Sequence, residues 1–266
     1  MLSRIDLCYT HCLKYGRILV IDSSKSWFKD DIRDYINFNS PIIYKDNLNE
    51  LYDKLNNEST YPPEFKGELN NINNFKYSKA GYTYNDKIID NDLFNDYSET
   101  VKVHLSCGDG NPINLMKICS FKPIILNVFR ERYNQLPKDY ISVHIRNTDK
   151  KSNIGKFLEK YKNKIKDKPI FLGTDHAPTI NNFRELFGSN IYSFANIPDN
   201  NGMNIHYNHS LVPTNEFNVD CLVDLLLLAA GAVLYLSHVI KCNESGYGRL
   251  AMTIHNDKDL FRQLTA

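Results

Sequence analysis

The ten residues Val143 to Ser152, V-H-I-R-N-T-D-K-K-S, bring a guanidinium (Arg146), a carboxylate (Asp149) and an ammonium (Lys150) into one short stretch. A fixed planar cation beside a carboxylate suits a phosphorylated leaving group and a proton transfer. The fork donates to two phosphate oxygens together, and the carboxylate takes a proton from an attacking hydroxyl. The plainer account of the same residues is an ion pair at the end of a strand, because short motifs recur by chance. What tells the two apart is whether other polar segments converge on this one.

Three segments are placed to do so. Gly173-Thr-Asp-His176 follows an apolar run, and Asp224 is the one charged residue between Cys221 and Leu236. Asn243-Glu-Ser-Gly-Tyr-Gly248 opens the last helix. There Ser245 and the amides of Gly246 and Tyr247 would stand at the positive end of a helix dipole, a good seat for phosphate; an ordinary N-cap is the simpler role.

These segments need a frame that brings them to one edge. From Tyr140 the pattern predicts strand 140–146, helix 154–166, strand 169–173, helix 178–187 and strand 190–194. After a long Asn- and Pro-rich connection come helix 216–230, a turn at Gly231, strand 232–236 and a final helix from 245. This alternation is that of a doubly wound parallel α/β sheet, in which ligands gather at the carboxyl ends of strands. Ahead of it the spacing predicts a helix over 2–15 closed by Gly16, a strand over 17–22 and a helix over 124–136, with a linker at Pro137. Residues 47–97, rich in Asn, Asp, Tyr and Lys, read as long loops and short helices, a composition that reflects an A+T-rich genome. Two domains are expected, 1–137 and 138–266.

Composition narrows the function. The chain has 266 residues and a formal charge of +1, so the molecule as a whole does not read as a nucleic-acid binder. Its six cysteines are scattered with no C-x-x-C pair, which points to a reducing, cytoplasmic compartment with neither zinc site nor disulfide framework. Arg4 and Asp6 interrupt the apolar residues of the amino terminus, so it is not a secretory signal, and Asp224 and Gly231 mark residues 221–237 as a buried helix and strand rather than a membrane span. His206 and His209 lack a third ligand at useful spacing, so no metal is expected. No P-loop motif is present. Gly246-x-Gly248-x-x-Ala251 matches a dinucleotide fingerprint, but the acidic residue that should follow about 20 positions on is missing.

Together these motifs resemble those of the α1,6-fucosyltransferases, the family of the rhizobial nodulation-factor enzyme and the animal N-glycan core enzyme. His144-Ile-Arg146-Asn-Thr-Asp149-Lys150 is similar to the family's H-x-R-R-T-D-K, and Phe171-Leu-Gly-Thr-Asp175 to its Y-L-A-T-D. Leu222-Val-Asp224-Leu resembles an L-D-I segment, and Glu244-Ser-Gly-Tyr-Gly-Arg-Leu-Ala251 resembles S-S-Q-V-x-R-x-A. Cys8 to Ile21 is similar to the stretch after the family's amino-terminal glycine-rich loop.

The resemblance implies a GT-B architecture, two Rossmann-like domains facing across a cleft with the amino-terminal one reduced. It implies GDP-fucose as donor, a glycan as acceptor and no metal or other cofactor. By motif position, Arg146 and Ser245 would bind pyrophosphate, with the Gly246 amide beside them, and His144 with Asp224 would bind guanine. Asp175 would shape the donor pocket, while Asp149 and Lys150 would lie near the reacting sugar. The chain departs from the pattern at Asn147, where the family has a second arginine, and at Ile154, where the core enzymes carry a glutamate; the glycine-rich loop is absent before Met1. The expected function is inverting fucosyl transfer, with Asp149 or Glu244 as base. The alternative is a non-catalytic nucleotide-sugar or glycan-binding relic of the same fold.

Overall fold

The computed structural model describes residues 1–24, 26–72, 76–78, 81–85, 87–89, 95–104, 110–199, 211–240 and 245–266. They form two compact units, one of Met1–Ser26 with Asn39–Ile118 and one of Trp27–Phe38 with Cys119–Ala266. Pro137 lies inside the second unit.

The first unit opens with α1 (Leu2–Tyr15), closed as its sequence predicts by Gly16 in the left-handed region at φ 65. The strand expected over 17–22 does not form. Leu19 donates to Ile42 O at 2.7 Å and accepts from Tyr44 N at 2.9 Å, a single parallel bridge. Leu19 and Ile21 are buried, which produces the apolar pattern; a strand needs a longer partner than this segment finds. The 47–97 stretch is more ordered than its composition predicts. Strand β1 (Ile36–Phe38) belongs to the second unit; the stretch itself holds α2 (Leu48–Leu55), β2 (Thr60–Tyr61), which pairs in parallel with β6 (Val101–Lys102), and an antiparallel sheet of β3 (Lys76–Ser78), β4 (Gly81–Tyr84) and β5 (Lys87–Ile89). Phe65, Leu69, Tyr84 and Ile89 form its core. Buried Asp6 accepts from Leu115 N of α3 (Ile113–Met116) at 2.6 Å.

The second unit begins with β1 (Ile36–Phe38), antiparallel to β7 (Cys119–Phe121), followed by α4 (Pro123–Tyr133). Then the predicted alternation runs through β8 (Ile141–Ile145), α5 (Ile154–Ile165), β9 (Ile170–Thr174), α6 (Ala177–Phe187), β10 (Ile191–Tyr192), α7 (Thr214–Ala230) and β11 (Leu234–Leu236). The final helix is two: α8 (Gly246–Asn256) stops at Asp257, whose carboxylate caps α9 (Lys258–Thr265) by accepting from Leu260 N at 2.9 Å.

The four strands β10-β9-β8-β11 form an all-parallel sheet. Every residue of β8 is buried, as a strand covered on both faces must be. Val143 and Ile145 pack with Phe157, Ile165, Phe183 and Phe187 of α5 and α6. Ser142 and His144 alternate to the opposite face, under α7 and α8. Ser142 Oγ donates to Leu227 O at 3.2 Å. A Cβ on Gly231 would lie 2.3 Å from that Oγ, which explains glycine where α7 hands over to β11. The order reverses between β8 and β11, because β9 and β10 step away on one side and β11 returns on the other. In an open parallel sheet the carboxyl ends at such a switch point frame the ligand crevice.

Candidate functional site

Two loops leave the sheet at this switch point. After β8, residues 146–153 are clipped to the segment after β11: the Ser152 and Ser237 hydroxyls lie 2.6 Å apart, Ile240 N donates to Lys151 O at 2.7 Å and Asn153 N to His238 O at 3.2 Å, while Ser152 Oγ also donates to Arg146 O within the loop at 2.6 Å. Asn153 then caps α5.

Arg146 is held on two sides. Its Nη2 reaches Asp149 Oδ1 at 2.6 Å and its Nη1 reaches Asp175 Oδ2 at 2.9 Å. Asp175, just past β9, also accepts from Asn147 N at 2.7 Å and from the Thr148 hydroxyl. One carboxylate thereby fixes three consecutive residues of the loop. The guanidinium is preorganised in a half-exposed position, and fixing the fork before a ligand arrives removes part of the ordering cost of binding. Partial burial raises the Asp149 carboxyl, but the Arg146 guanidinium more than offsets this and holds it below its ordinary value. That makes Asp149 a weak base. Lys150 is exposed on the same loop.

His144 has both ring nitrogens engaged. Nδ1 stands 3.1 Å from Gly173 O, which can only accept, so Nδ1 carries the proton and Nε2 accepts from Ser245 Oγ at 2.8 Å. Ser245 Oγ in turn accepts from Gly248 N at 2.9 Å, capping α8. Burial pushes the imidazole down to about 4, so it is neutral at physiological pH. The ring thus seats the first turn of α8 instead of offering a free nitrogen to a base. The contact is close: a Cβ at Gly248 would lie 2.8 Å from His144 Cδ2. Gly246 is open by contrast, its nearest foreign atom being Arg249 Nη2 at 3.9 Å, and the amides at this end have no partner within the helix.

Tyr247 donates to Cys221 O at 2.7 Å, which lays the start of α8 on α7 one turn before Asp224. Asp224 is buried, and its Oδ1 has no hydrogen-bond partner. Burial, then the Asp220 charge, push its carboxyl up to about 8. Asp220 itself is satisfied, by Arg132 Nη2 at 2.5 Å and Asn196 N at 2.9 Å. A buried, unsatisfied carboxylate beside a satisfied one costs stability, and such a group is commonly completed by a ligand or water.

The two departures from the family motif are structurally settled. Asn147 turns its amide to Thr179 Oγ1 at 3.2 Å, and Ile154 is half-buried against the α5–α6 core. Neither replaces the missing arginine or glutamate. Glu244, Asn243, His206, His209, Cys107 and Cys242 lie outside the described residues. Sequence reasoning missed Asp175 as the organiser of the Arg146 loop and Gly248 as a packing glycine. The signals available were an acidic residue at a strand end and a glycine inside a helix.

Among solved structures the chain is similar to the crystal structure of the fucosyltransferase NodZ from Bradyrhizobium, with a TM-score of 0.60, 17% identity, and 95% of this chain and 88% of that one covered. NodZ α1,6-fucosyltransferase co-crystallised with GDP matches at TM-score 0.56 and 14% identity, and the same enzyme soaked with GDP-fucose at 0.56 and 15%; each comparison covers 95% of this chain and 87% of the other. No family model and no curated protein matches the sequence. At these identities the likeness establishes the fold: mixed α/β around a parallel sheet, as in the NodZ structures.

Proposed function

We propose that the chain transfers fucose from GDP-fucose to a glycan hydroxyl with inversion, on a GT-B scaffold whose second unit holds the donor and whose first unit serves the acceptor. One observation carries the reading. At the β8–β11 switch point a guanidinium locked by two carboxylates shares a sheet edge with the start of α8, which rests on the helix bearing an unpartnered carboxylate. The solved relatives of this fold were crystallised with GDP and soaked with GDP-fucose, which supports the donor.

Each residue then has a task. Arg146 and the first amides of α8 take the charge that develops on the departing GDP, a role a metal ion fills elsewhere, so activity should survive EDTA. Asp224 accepts the N1–H and N2–H of guanine side by side, a pairing that adenine cannot make. Asp175 holds the Arg146 loop in register and His144 seats α8 through Ser245. Lys150 and Asp149 stand nearest the sugar. Asp149 either receives the acceptor proton or serves to aim Arg146, and its downward pKa shift favours aiming. The first unit holds a cavity of about 640 Å³, lined in part by His11, Asp22, Tyr44 and Tyr52, that offers polar groups for an acceptor.

A second reading, a binding relic without turnover, is favoured by Asn147 and Ile154, whose side chains face the protein. Thermal-shift titration with GDP, UDP and ADP tests the donor site: a ligand at 100 times its dissociation constant adds about 2.7 kcal/mol. ADP or UDP binding as tight as GDP would sink the guanine pocket. Slow hydrolysis of GDP-fucose in the absence of acceptor separates the enzyme from the relic.

A further inference from the structure

The near-neutral total charge conceals one strongly basic face. Residues 150–168 carry eight lysines against Glu159 and Asp167, a local excess of six in a chain whose formal charge is +1. All eight, Lys150, Lys151, Lys156, Lys160, Lys162, Lys164, Lys166 and Lys168, are exposed. The helix that carries four of them, α5, is already committed on its apolar side, with Phe157 and Ile165 buried and Ile154, Leu158 and Tyr161 packed against the core. What remains outward is cationic. At 3.6 residues per turn Lys156, Lys160 and Lys164 stand in one row, and Lys162 and Lys166 flank the other side.

The fold does not need this arrangement. Like charges four residues apart weaken a helix, and Lys156 sits in the first turn, the wrong end of the dipole for a cation. The single aromatic on the stretch with its ring near these ammonium groups, Tyr161, lies under Lys160 and Lys164 at 5.0 and 6.0 Å, so it is not available to stack on a base. There is no arginine from 150 to 168 to grip a phosphate bidentately. Point charges on flexible stems, spread along a helix that lies flat on the protein, suit a surface of diffuse negative charge. Outside residues 150–168 the chain carries a formal charge of −5, so the basic excess is confined to this stretch.

We infer that the outer face of α5 docks the protein peripherally on bilayers containing anionic phospholipid. No helix of the described residues is long and apolar enough to cross a membrane, and none is needed, because the contact is electrostatic and reversible. This inference is independent of the donor reading, since no residue of the lysine row touches the Arg146 loop's ion pairs.

Vesicle co-sedimentation of the full chain tests it. Wild type should bind vesicles of phosphatidylcholine with 30 mol% phosphatidylserine at least tenfold more tightly than phosphatidylcholine alone, and lose most of that at about 0.5 M salt. The triple variant K156Q/K160Q/K164Q should weaken anionic-vesicle binding by roughly a hundredfold, at about fivefold per lysine near the surface. Glutamine matches lysine in helix propensity, so the fold stands, and an unchanged melting temperature verifies this. The control K54Q/K66Q in the first unit should bind as wild type. Equal binding to neutral and anionic vesicles, or an unaffected triple variant, overturns the inference. So does tight binding to homopolymeric RNA without binding to vesicles, which would assign the face to nucleic acid.

Discussion

The Arg146 loop and the α7 surface around Asp224 sit under the same sheet edge yet are in opposite states. In the loop every charge that matters is answered: Arg146 by Asp149 and Asp175, and Asp175 by Arg146, Asn147 and Thr148. On α7, Asp220 is satisfied by Arg132 and Asn196, while Asp224 one turn further keeps a buried oxygen without a partner. The difference separates what the fold builds for itself from what it leaves for a ligand. A satisfied network is rigid before binding; an unsatisfied group is a stability cost that only a partner removes.

The largest way to break this comparison is Asp175→Ala. It strips a carboxylate from Arg146, Asn147 N and Thr148 together, and losing one side of such a network should cost about 3–5 kcal/mol. Thermal unfolding should show the drop with and without GDP, and an unaltered melting temperature would mean that the loop is ordered by something else.

Asp224→Asn sharpens the comparison, because stability and binding should move in opposite directions. The folded carboxyl titrates near 8 against an ordinary 3.8. Between those values the folded state holds a proton that the unfolded state has released, so wild-type stability falls as pH rises from about 4 to 8. The Asn variant lacks that slope and should be roughly 2–4 kcal/mol more stable than wild type at pH 8 when nucleotide-free. Its GDP affinity should nevertheless drop by roughly 1.5–3 kcal/mol, the value of a charge-assisted hydrogen bond. By the same linkage wild type should release close to one proton per GDP bound below pH 8, read by titration calorimetry in buffers of different ionisation enthalpy. Proton uptake instead of release would contradict a guanine-bound carboxylate.

The two glycines of α8 repeat the contrast on a smaller scale. Gly248→Ala drives a Cβ into His144 and should cost about 1–3 kcal/mol of stability. Gly246→Ala, with open space above it, should leave stability within about 0.5 kcal/mol while weakening GDP, as measured by fluorescence titration. The smallest effect is expected for Asp149→Asn: its side chain is 35% exposed, and replacing an ion pair so placed should lower GDP affinity and turnover together by about 0.5–1 kcal/mol. A fall in turnover alone would identify Asp149 as the base.

The parallel sheet of the second unit was legible in the sequence because β8 and β9, buried on both faces, are largely apolar, and the helices between them keep a clear period. Arg146, Ser245 and Asp224 stand out in the sequence as polar residues that punctuate apolar elements. The strand at 17–22 was misread because inward-facing Leu19 and Ile21 give an extended segment the same alternation whether or not it finds neighbours. The β3–β4–β5 sheet was missed because each strand is only three or four residues long, too short for a clear alternation. The two hydrogen bonds of His144 were not legible, because they depend on Gly173 and Ser245, distant in sequence and brought together only by folding.

The second unit is also discontinuous along the chain. Its strand β1 pairs with β7, Phe28 O receives Asn218 Nδ2 at 2.9 Å, and Cys119 O receives Gln263 Nε2 at 2.9 Å. On a ribosome adding about 5–20 residues per second, β1 emerges roughly 4–16 s before its partner strand, and Phe28 waits longer still. Through that interval an apolar segment must be kept from pairing elsewhere while Asn39–Ile118, the larger part of the first unit, is synthesised. Nascent-chain arrest anywhere short of the last helix would therefore yield an incomplete second unit, and severing the gene at the 137/138 junction would divide one folding unit rather than separate two.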